Sequence, residues 1–463
     1  MPTECSPALF PFAPVEGRRV VAGFDGGAIT SNAGALLLGA TDRAINLVGR
    51  FAGCFRDARM PERIEHAIAT LVGQRVFGIA LGHDEDVVYH DQLRHDPVLA
   101  ILAGKLAARR SDCAPLAGKS TLNRLEHAPV GEPGRYHRIG HDAAAIEGLF
   151  VDLFLETHRK APPRQIILDL DATDVPLRGH QEGRFFHGYY DAYCYLPLYV
   201  FCGRHLLAAR LRRADSDASA GAVEEVARIV RQIRARWPRV RVLLRADSGF
   251  AREALMAWCE ANRVDFLFGL ARNARLVEEL AIDLAWAEHE ASRTGKPARR
   301  FRDFRWSTLD SWSRRRRVVC KAEWTRGEAN PRFVVTSLKP AEADARTLYE
   351  RLYCGRGEME NRIKECQLDL FAGRASAATM RANQLRLWFA SMAYVLLCAL
   401  RRIGLAHTQF AEATCGTLRL ALLKISAQVR RSARRVKVAM ASAHPFRDES
   451  TLAHARLAAA AAP

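Results

Sequence analysis

The chain has 463 residues, 49% hydrophobic and 26% charged, with a mean hydropathy of −0.13, which excludes a disordered or fibrous protein and predicts about three domains. Its 69 Lys and Arg against 51 Asp and Glu give a net charge of +18 and a pI near 9.8, a field that attracts polyanions such as nucleic acid, although an ordinary basic enzyme would also carry it. The longest apolar run near the end, 389–400, is 12 residues. That is short of the roughly 20 that a spanning helix needs, and Met1-Pro2-Thr3-Glu4 does not begin a signal peptide, so a cytoplasmic protein without a membrane partner is expected.

Residues 1–160 read as mainly helical. Phe24 to Asn32 has turn chemistry, 33–47 predict a helix, and Ile64, Ala67, Ile68, Leu71 and Val72 recur at helical spacing within a second helix over 64–81. Ser120 to Glu126 predicts a short capped helix. Pro162-Pro163 marks a boundary, and 161–270 then change character. Gln165 to Asp171 is an apolar run ending in acids, as in a buried strand. Aromatic-rich 185–190 and 193–201, then 206–211, predict further strands of one meander. A helix over 219–237, a strand over 240–245, a helix over 251–262 and a strand over 264–268 complete the order β-β-β-α-β-α-β.

Residues 271–340 read as a basic, β-rich insertion: Arg299 to Arg326 holds ten basic and three acidic residues, a net of +7. Val318, Cys320, Ala322 and Trp324 alternate as in a half-exposed strand. Residues 341–405 return to helix, over 343–366 and 378–403, and 406–463 form a basic end region whose alanine-rich close is expected to fray. The 11 cysteines show neither Cys-x-x-Cys nor zinc spacing, as expected of reduced thiols.

Three carboxylates stand where such a fold would present them. Asp171 ends a buried strand, Asp247 follows a strand's C-terminal end, and Glu360 lies on a late helix. Acids converging from two strands and a helix suit hard divalent cations, and a pair of such ions serves phosphoryl transfer on DNA. Each acid alone is more often a cap or an ion-pair partner. Their order is the ribonuclease H-like one, and a β-rich insertion before the Glu helix narrows it further.

These segments resemble a DDE transposase of a bacterial insertion sequence, most closely the insertion-sequence 1380 family, related to the insertion-sequence 4 group. The resemblance runs from about Phe24 to Leu405. It rests on Phe24-Asp-Gly-Gly27 with Thr30-Ser31, Leu81-Gly-His-Asp-Glu-Asp86, Leu93-Arg-His-Asp-Pro97, Thr121-Leu-Asn-Arg-Leu-Glu126, Leu168-Asp-Leu-Asp-Ala-Thr173, Arg245-Ala-Asp-Ser-Gly-Phe250 and Tyr353-Cys-Gly-Arg-Gly-Glu-Met-Glu-Asn361. It implies DNA transposition by an α/β, ribonuclease H-like catalytic core, with a mainly helical N-terminal region binding the element's terminal repeats. Two Mg²⁺ ions are implied as cofactor, with Mn²⁺ as a substitute. Double-stranded DNA is the implied partner, both terminal repeats and target, and the protein would be a homodimer on it.

By motif, the family's first Asp matches Asp171, followed by Ala172-Thr173, with Asp169 as runner-up on the same strand face. The second Asp is Asp247. Tyr353, Arg356 and Glu360 fit a Tyr-x2-Arg-x3-Glu-x6-Lys signature. Its Lys position holds Gln367, a departure that leaves Lys364 to make a DNA-phosphate contact. Arg178-Gly179-His180-Gln181 departs too, since a His is expected before the Gly. Arg356 either neutralises a phosphate or simply pairs with Glu360 along the helix. Tyr353 either contacts DNA or packs in the core. Arg314, Arg315, Arg316 and Arg317, together with Arg430, Arg431, Arg434 and Arg435, are expected to contact DNA phosphates. His83, Asp84 and Asp86 read as a polar turn rather than a metal site. A non-catalytic DNA-binding descendant of a transposase and a plain metal-dependent nuclease stay open as rivals.

Overall fold

The structure, a computed structural model, describes residues 10–83 and 87–462; Asp84, Glu85 and Asp86 of the 81–86 motif lie outside the described residues. Composition predicts boundaries at 160, 270, 340 and 405, whereas the chain divides into two compact units, residues 1–141 with 392–463, and residues 142–391.

In the first unit the expected helices occur as Leu36–Ile45, Ile68–Ala80 and Lys119–Glu126. The third begins at Gly118 with no side-chain cap, so its expected cap is not formed. Ile68–Ala80 is buried from Thr70 onward, including Arg75, whose Nε meets Glu126 Oε1 at 2.5 Å with both side chains fully enclosed. The basic end region is ordered here. Ala427–Arg431 and Val436–Met440 form an antiparallel hairpin with Ile29–Thr30 at its edge. Arg447–Ala460 is a helix that buries Ala453 and Leu457 completely, so the alanine-rich close is helical as far as Ala460, although Ala458 to Ala460 are exposed. Alanines favour helix, and one buried leucine per few turns is enough to anchor it.

The second unit is a mixed α/β body around one large sheet. Its elements are α1 (Ala143–Thr157), β1 (Gln165–Ala172), β2 (Leu198–Cys202), β3 (His205–Arg210), α2 (Ala222–Arg236), β4 (Arg241–Ala246), α3 (Glu253–Ala261), β5 (Asp265–Leu270), α4 (Ala281–Thr294), β6 (Ala298–Trp306), β7 (Arg316–Thr325) and β8 (Arg332–Thr336). The strand order is β3-β2-β1-β4-β5-β8-β7-β6. β1, β2 and β3 form an antiparallel meander, and β4 lies parallel to both β1 and β5. The stretch read as an insertion extends this same sheet: β8, β7 and β6 join it antiparallel beyond β5. β7 therefore runs between two neighbours and is mostly buried, not half-exposed.

Alternation along the strands builds two different faces. Ile166, Leu168 and Leu170 of β1, with Val242, Leu244 and Ala246 of β4, pack with the apolar stripe of α2, Val226, Ile229, Val230 and Ile233. The odd-numbered residues point the other way, where Leu243 and Leu267 pack with Leu348 and Tyr349. That second face carries Asp169, Asp171, Arg245 and Gly269. The helix covering it was expected over 343–366 and runs from Ala345 to Asp369 with changes of pitch. It is π-helical over Leu348–Tyr353, 3₁₀ over Cys354–Arg356, α-helical over Gly357–Lys364 (α5) and π-helical again over Glu365–Asp369.

One helix, Met380–Gly404, is by length and composition apolar enough to cross a membrane, yet 78% of its most apolar stretch is buried inside the fold.

Candidate active site

β1 and β4 are parallel and in register, with Leu170 opposite Ala246. The next residue on each strand is an acid, so Asp171, still within β1, and Asp247, just past the end of β4, stand side by side. Asp247 caps the 3₁₀ turn Ser248–Phe250, its Oδ1 accepting from the Gly249 amide at 2.9 Å. Asp171 Oδ1 accepts from the Ala172 amide at 2.9 Å.

Glu360 reaches the same place from α5. The link is Arg356, which donates from Nη1 to Asp171 Oδ2 at 3.2 Å and from Nη2 to Glu360 Oε1 at 2.9 Å. The change of pitch explains the alignment. The 3₁₀ turn Cys354–Arg356 follows Tyr353 and leads straight into α5, where the spacing of four brings Arg356, its N-cap, to Glu360. The intrahelical pair with Glu360 is therefore formed, and the same guanidinium also reaches across to Asp171 on the sheet.

The charges are mutually strained. Burial pushes the Asp171 carboxyl up to about 7; Arg356 pulls it down, and Asp247 and Glu360 push it further up. Arg356 is held above its ordinary range: burial works against its charge, but Asp171, Tyr353, Glu360 and Asp247 together outweigh it. One guanidinium faces three carboxylates, which leaves the cluster short of positive charge. Oxygen donors with a deficit of that sign fit a hard divalent cation. Among the described residues no three acidic, His or Cys side chains close around a cation as they stand, because Arg356 lies between Asp171 and Glu360.

Asp169 is otherwise engaged. It is 4% exposed, and both its oxygens accept from Arg245, directly opposite on β4, at 2.5 and 2.8 Å. Arg245 also donates through Nη1 to the Leu352 carbonyl of the covering helix. A Cβ at Gly355 would stand 2.8 Å from that nitrogen, so a side chain there would push the clasp apart. Gln367, where the signature has Lys, donates to the Asp174 carbonyl at 3.0 Å and ties the same helix to the segment after β1. Lys364 is exposed.

Tyr353 sits against the sheet. A Cβ at Gly269 of β5 would lie 2.5 Å from its hydroxyl oxygen and 2.8 Å from the Ser248 amide nitrogen. The amide belongs to the turn that holds Asp247, and backbone cannot step aside. Gly269→Ala is expected to cost about 1–3 kcal/mol of stability by displacing the turn at Asp247. Urea unfolding checks it; wild-type stability would mean that the turn tolerates the methyl group.

The arginine run divides. Arg314 and Arg315 are exposed, Arg314 paired with Glu260 at 3.0 Å and Arg315 donating to the Arg305 carbonyl at 2.6 Å. Arg316 is 2% exposed and held by Glu253 and Glu260, and Arg317 is bound to Asp303 and to the Leu338 and Ala343 carbonyls. Those two guanidinium groups are committed to the fold. Arg430, Arg431, Arg434 and Arg435 are exposed on the hairpin and loop of the first unit.

Sequence reasoning missed the Arg245–Asp169 clasp and the two close-packed glycines. A signal existed for the first: an arginine within the apolar stretch of one strand and an aspartate within that of another. A comparison with curated proteins finds no match. The protein-family model described as Transposase DDE domain group 1 matches residues 12–462, nearly the whole chain, and the chain belongs to that family of DDE transposases.

Proposed function

We propose that the chain is an active transposase of the insertion-sequence 1380 type. It binds the terminal repeats of its element, cleaves phosphodiester bonds there and joins the freed 3′ ends to target DNA. The observation that carries this reading is the convergence of Asp171, Asp247 and Glu360, from two adjacent strand ends and a helix, on the single guanidinium of Arg356. The spatial order β3-β2-β1-β4-β5 supports a ribonuclease H-like core, with β6, β7 and β8 as its β-rich extension and the helices of 10–141 as the DNA-binding region.

Asp171, Asp247 and Glu360 would hold two Mg²⁺ ions, or Mn²⁺ in their place. Such ions supply a nucleophilic water or 3′-hydroxyl at neutral pH and stabilise the leaving oxygen. The rest falls to the chain's own groups. Asp171 gives up the proton that it holds near neutrality. Arg356, released from the two carboxylates, turns its paired N–H donors to a phosphate oxygen of the cut strand. Tyr353 props Arg356 against Gly269. Lys364, Arg314, Arg315, Arg430, Arg431, Arg434 and Arg435 contact phosphates and fix the duplex. Pairing of two ends calls for a homodimer on DNA, acting in the cytoplasm on nucleoid DNA.

The test is a labelled duplex carrying the terminal repeat, a target plasmid and Mg²⁺, with wild type beside Glu360→Gln. Joined products from wild type alone are expected. Cutting without joining would favour a plain nuclease, and binding without cutting by either protein would leave a non-catalytic DNA-binding protein.

A further inference from the structure

Between β1 and β2 the chain leaves the large sheet. Phe185–His187 and Ala192–Tyr195 pair as a hairpin, and Val175–Pro176 completes a separate three-stranded sheet. The aromatic stretch expected to join the central meander thus stands apart from it. Its loop, Gly188-Tyr189-Tyr190-Asp191, closes with Asp191 in the left-handed region at φ 49°. The base is fastened, since Gln181 donates to the Ala375 carbonyl at 3.2 Å and the Glu182 amide to the Ala378 carbonyl at 2.8 Å.

What this hairpin offers to solvent is rings. Phe185, Phe186, Tyr189 and Tyr193 are 46, 45, 85 and 46% exposed. Single exposed aromatics are ordinary, but four on one short hairpin form a patch. Phe186 and Tyr193 face each other across the strands with ring centres 5.5 Å apart, and the Arg184 guanidinium lies over Tyr193 at 4.7 Å. Tyr189 stands edge-on to Tyr190 at 5.0 Å. Tyr190 packs in the same small cluster as Ala172, the residue that follows Asp171. Tyr190 and Tyr189 therefore lead from beside Ala172 out to solvent, with the Phe186–Tyr193 pair on the same hairpin.

The geometry points to a stacking platform, in which Phe186 and Tyr189 hold unpaired nucleobases of the DNA strand whose phosphate lies at Asp171 and Asp247. This rests on the DNA-cleaving reading above. The chemistry selects the occupant. The large apolar side chains that the hairpin exposes are flat and none is aliphatic, which suits planar bases better than lipid tails or aliphatic protein surface. A guanidinium already stacked on one ring and a net charge of +18 suit a polyanion. A closed duplex hides the faces of its bases, so the platform favours DNA that is unpaired beside the cut bond.

Fluorescence anisotropy of the full chain in EDTA tests this without any cleavage. The probes are a labelled oligo(dT) of about 20 nucleotides and a blunt duplex of the same length. Phe186→Ala/Tyr189→Ala is expected to weaken oligo(dT) binding roughly tenfold or more while duplex binding stays within about twofold; Phe186→Trp/Tyr189→Trp keeps both. Unchanged oligo(dT) binding in the alanine variant would overturn the platform, as would equal loss on both probes. So would wild type sedimenting as a dimer that the alanine variant breaks, since the rings would then be covered by a second copy. A chain that binds oligo(dT) through these rings yet cuts nothing in Mg²⁺ would sink the transposase reading and leave the platform standing.

Discussion

Asp171→Asn is expected to abolish strand cleavage and, in the same protein, to stabilise the metal-free form at pH 8. Burial among other acids raises the Asp171 carboxyl from 3.8 to about 7, with only Arg356 and one backbone amide pulling it down. A folded-state value above the unfolded one means that the folded chain holds a proton that the unfolded chain has lost. The stabilisation from that proton is complete below about pH 4 and lost as pH climbs to about 7. At about 1.4 kcal/mol per unit, roughly three units amount to at most about 4 kcal/mol above pH 7. The amide keeps part of the Arg356 contact and carries no charge, so urea unfolding at pH 8 should show a gain of about 2–4 kcal/mol, and near pH 4 none. Millimolar Mg²⁺ should reverse the order by stabilising wild type and not the variant. Cleavage should fall by roughly 10³-fold or more, the worth of several kcal/mol at the reacting oxygens. A variant that still cuts would remove Asp171 from the reacting set. One no more stable than wild type at pH 8 would mean that this carboxylate is not the strained one.

Much of that site was legible in the sequence, for a simple reason. In β1 and β4 the even positions are apolar and the odd positions hold the acids and Arg245, so period-two alternation already puts Asp171 and Asp247 on one face. The choice between Asp169 and Asp171 was not legible, because both obey the same parity. Strand register distinguishes the two, by placing Arg245 opposite Asp169. The run Arg314 to Arg317 reads as one basic patch because the carboxylates that pair with Arg314, Arg316 and Arg317, namely Glu253, Glu260 and Asp303, are distant in sequence or on another strand. Periodicity also found strands between 185 and 201, but placed them all in one meander. Residues 198–202 join the large sheet, and the rest form the hairpin. Alternation reports which way side chains point and is silent on partners.

Arg245 gives the second large effect, and it separates stability from positioning. The side chain is 7% exposed, satisfies both oxygens of buried Asp169 and holds the Leu352 carbonyl of the helix that carries Arg356 and Glu360. Arg245→Met would leave a buried carboxylate with no counter-charge, at a cost of about 3–5 kcal/mol in urea unfolding. The loss should shrink at acid pH, where Asp169 takes a proton and needs no partner; its carboxyl is already raised by burial, with Arg245 pulling it down. Pairing the change with Asp169→Leu removes the orphaned charge and should restore most of the stability, since apolar replacements of a buried ion pair are often neutral. The double variant still lacks the tie to Leu352, so its cleavage should stay low, by roughly 10²-fold, as Glu360 loses its fixed distance from Asp171 and Asp247. Arg245→Lys keeps a charge but cannot span two oxygens and a carbonyl at once, and should fall between the two. If the double variant regained both stability and cleavage, Arg245 would serve only to neutralise Asp169. If stability returns and cleavage does not, the clasp between β1, β4 and the helix is what sets the spacing of the three acids.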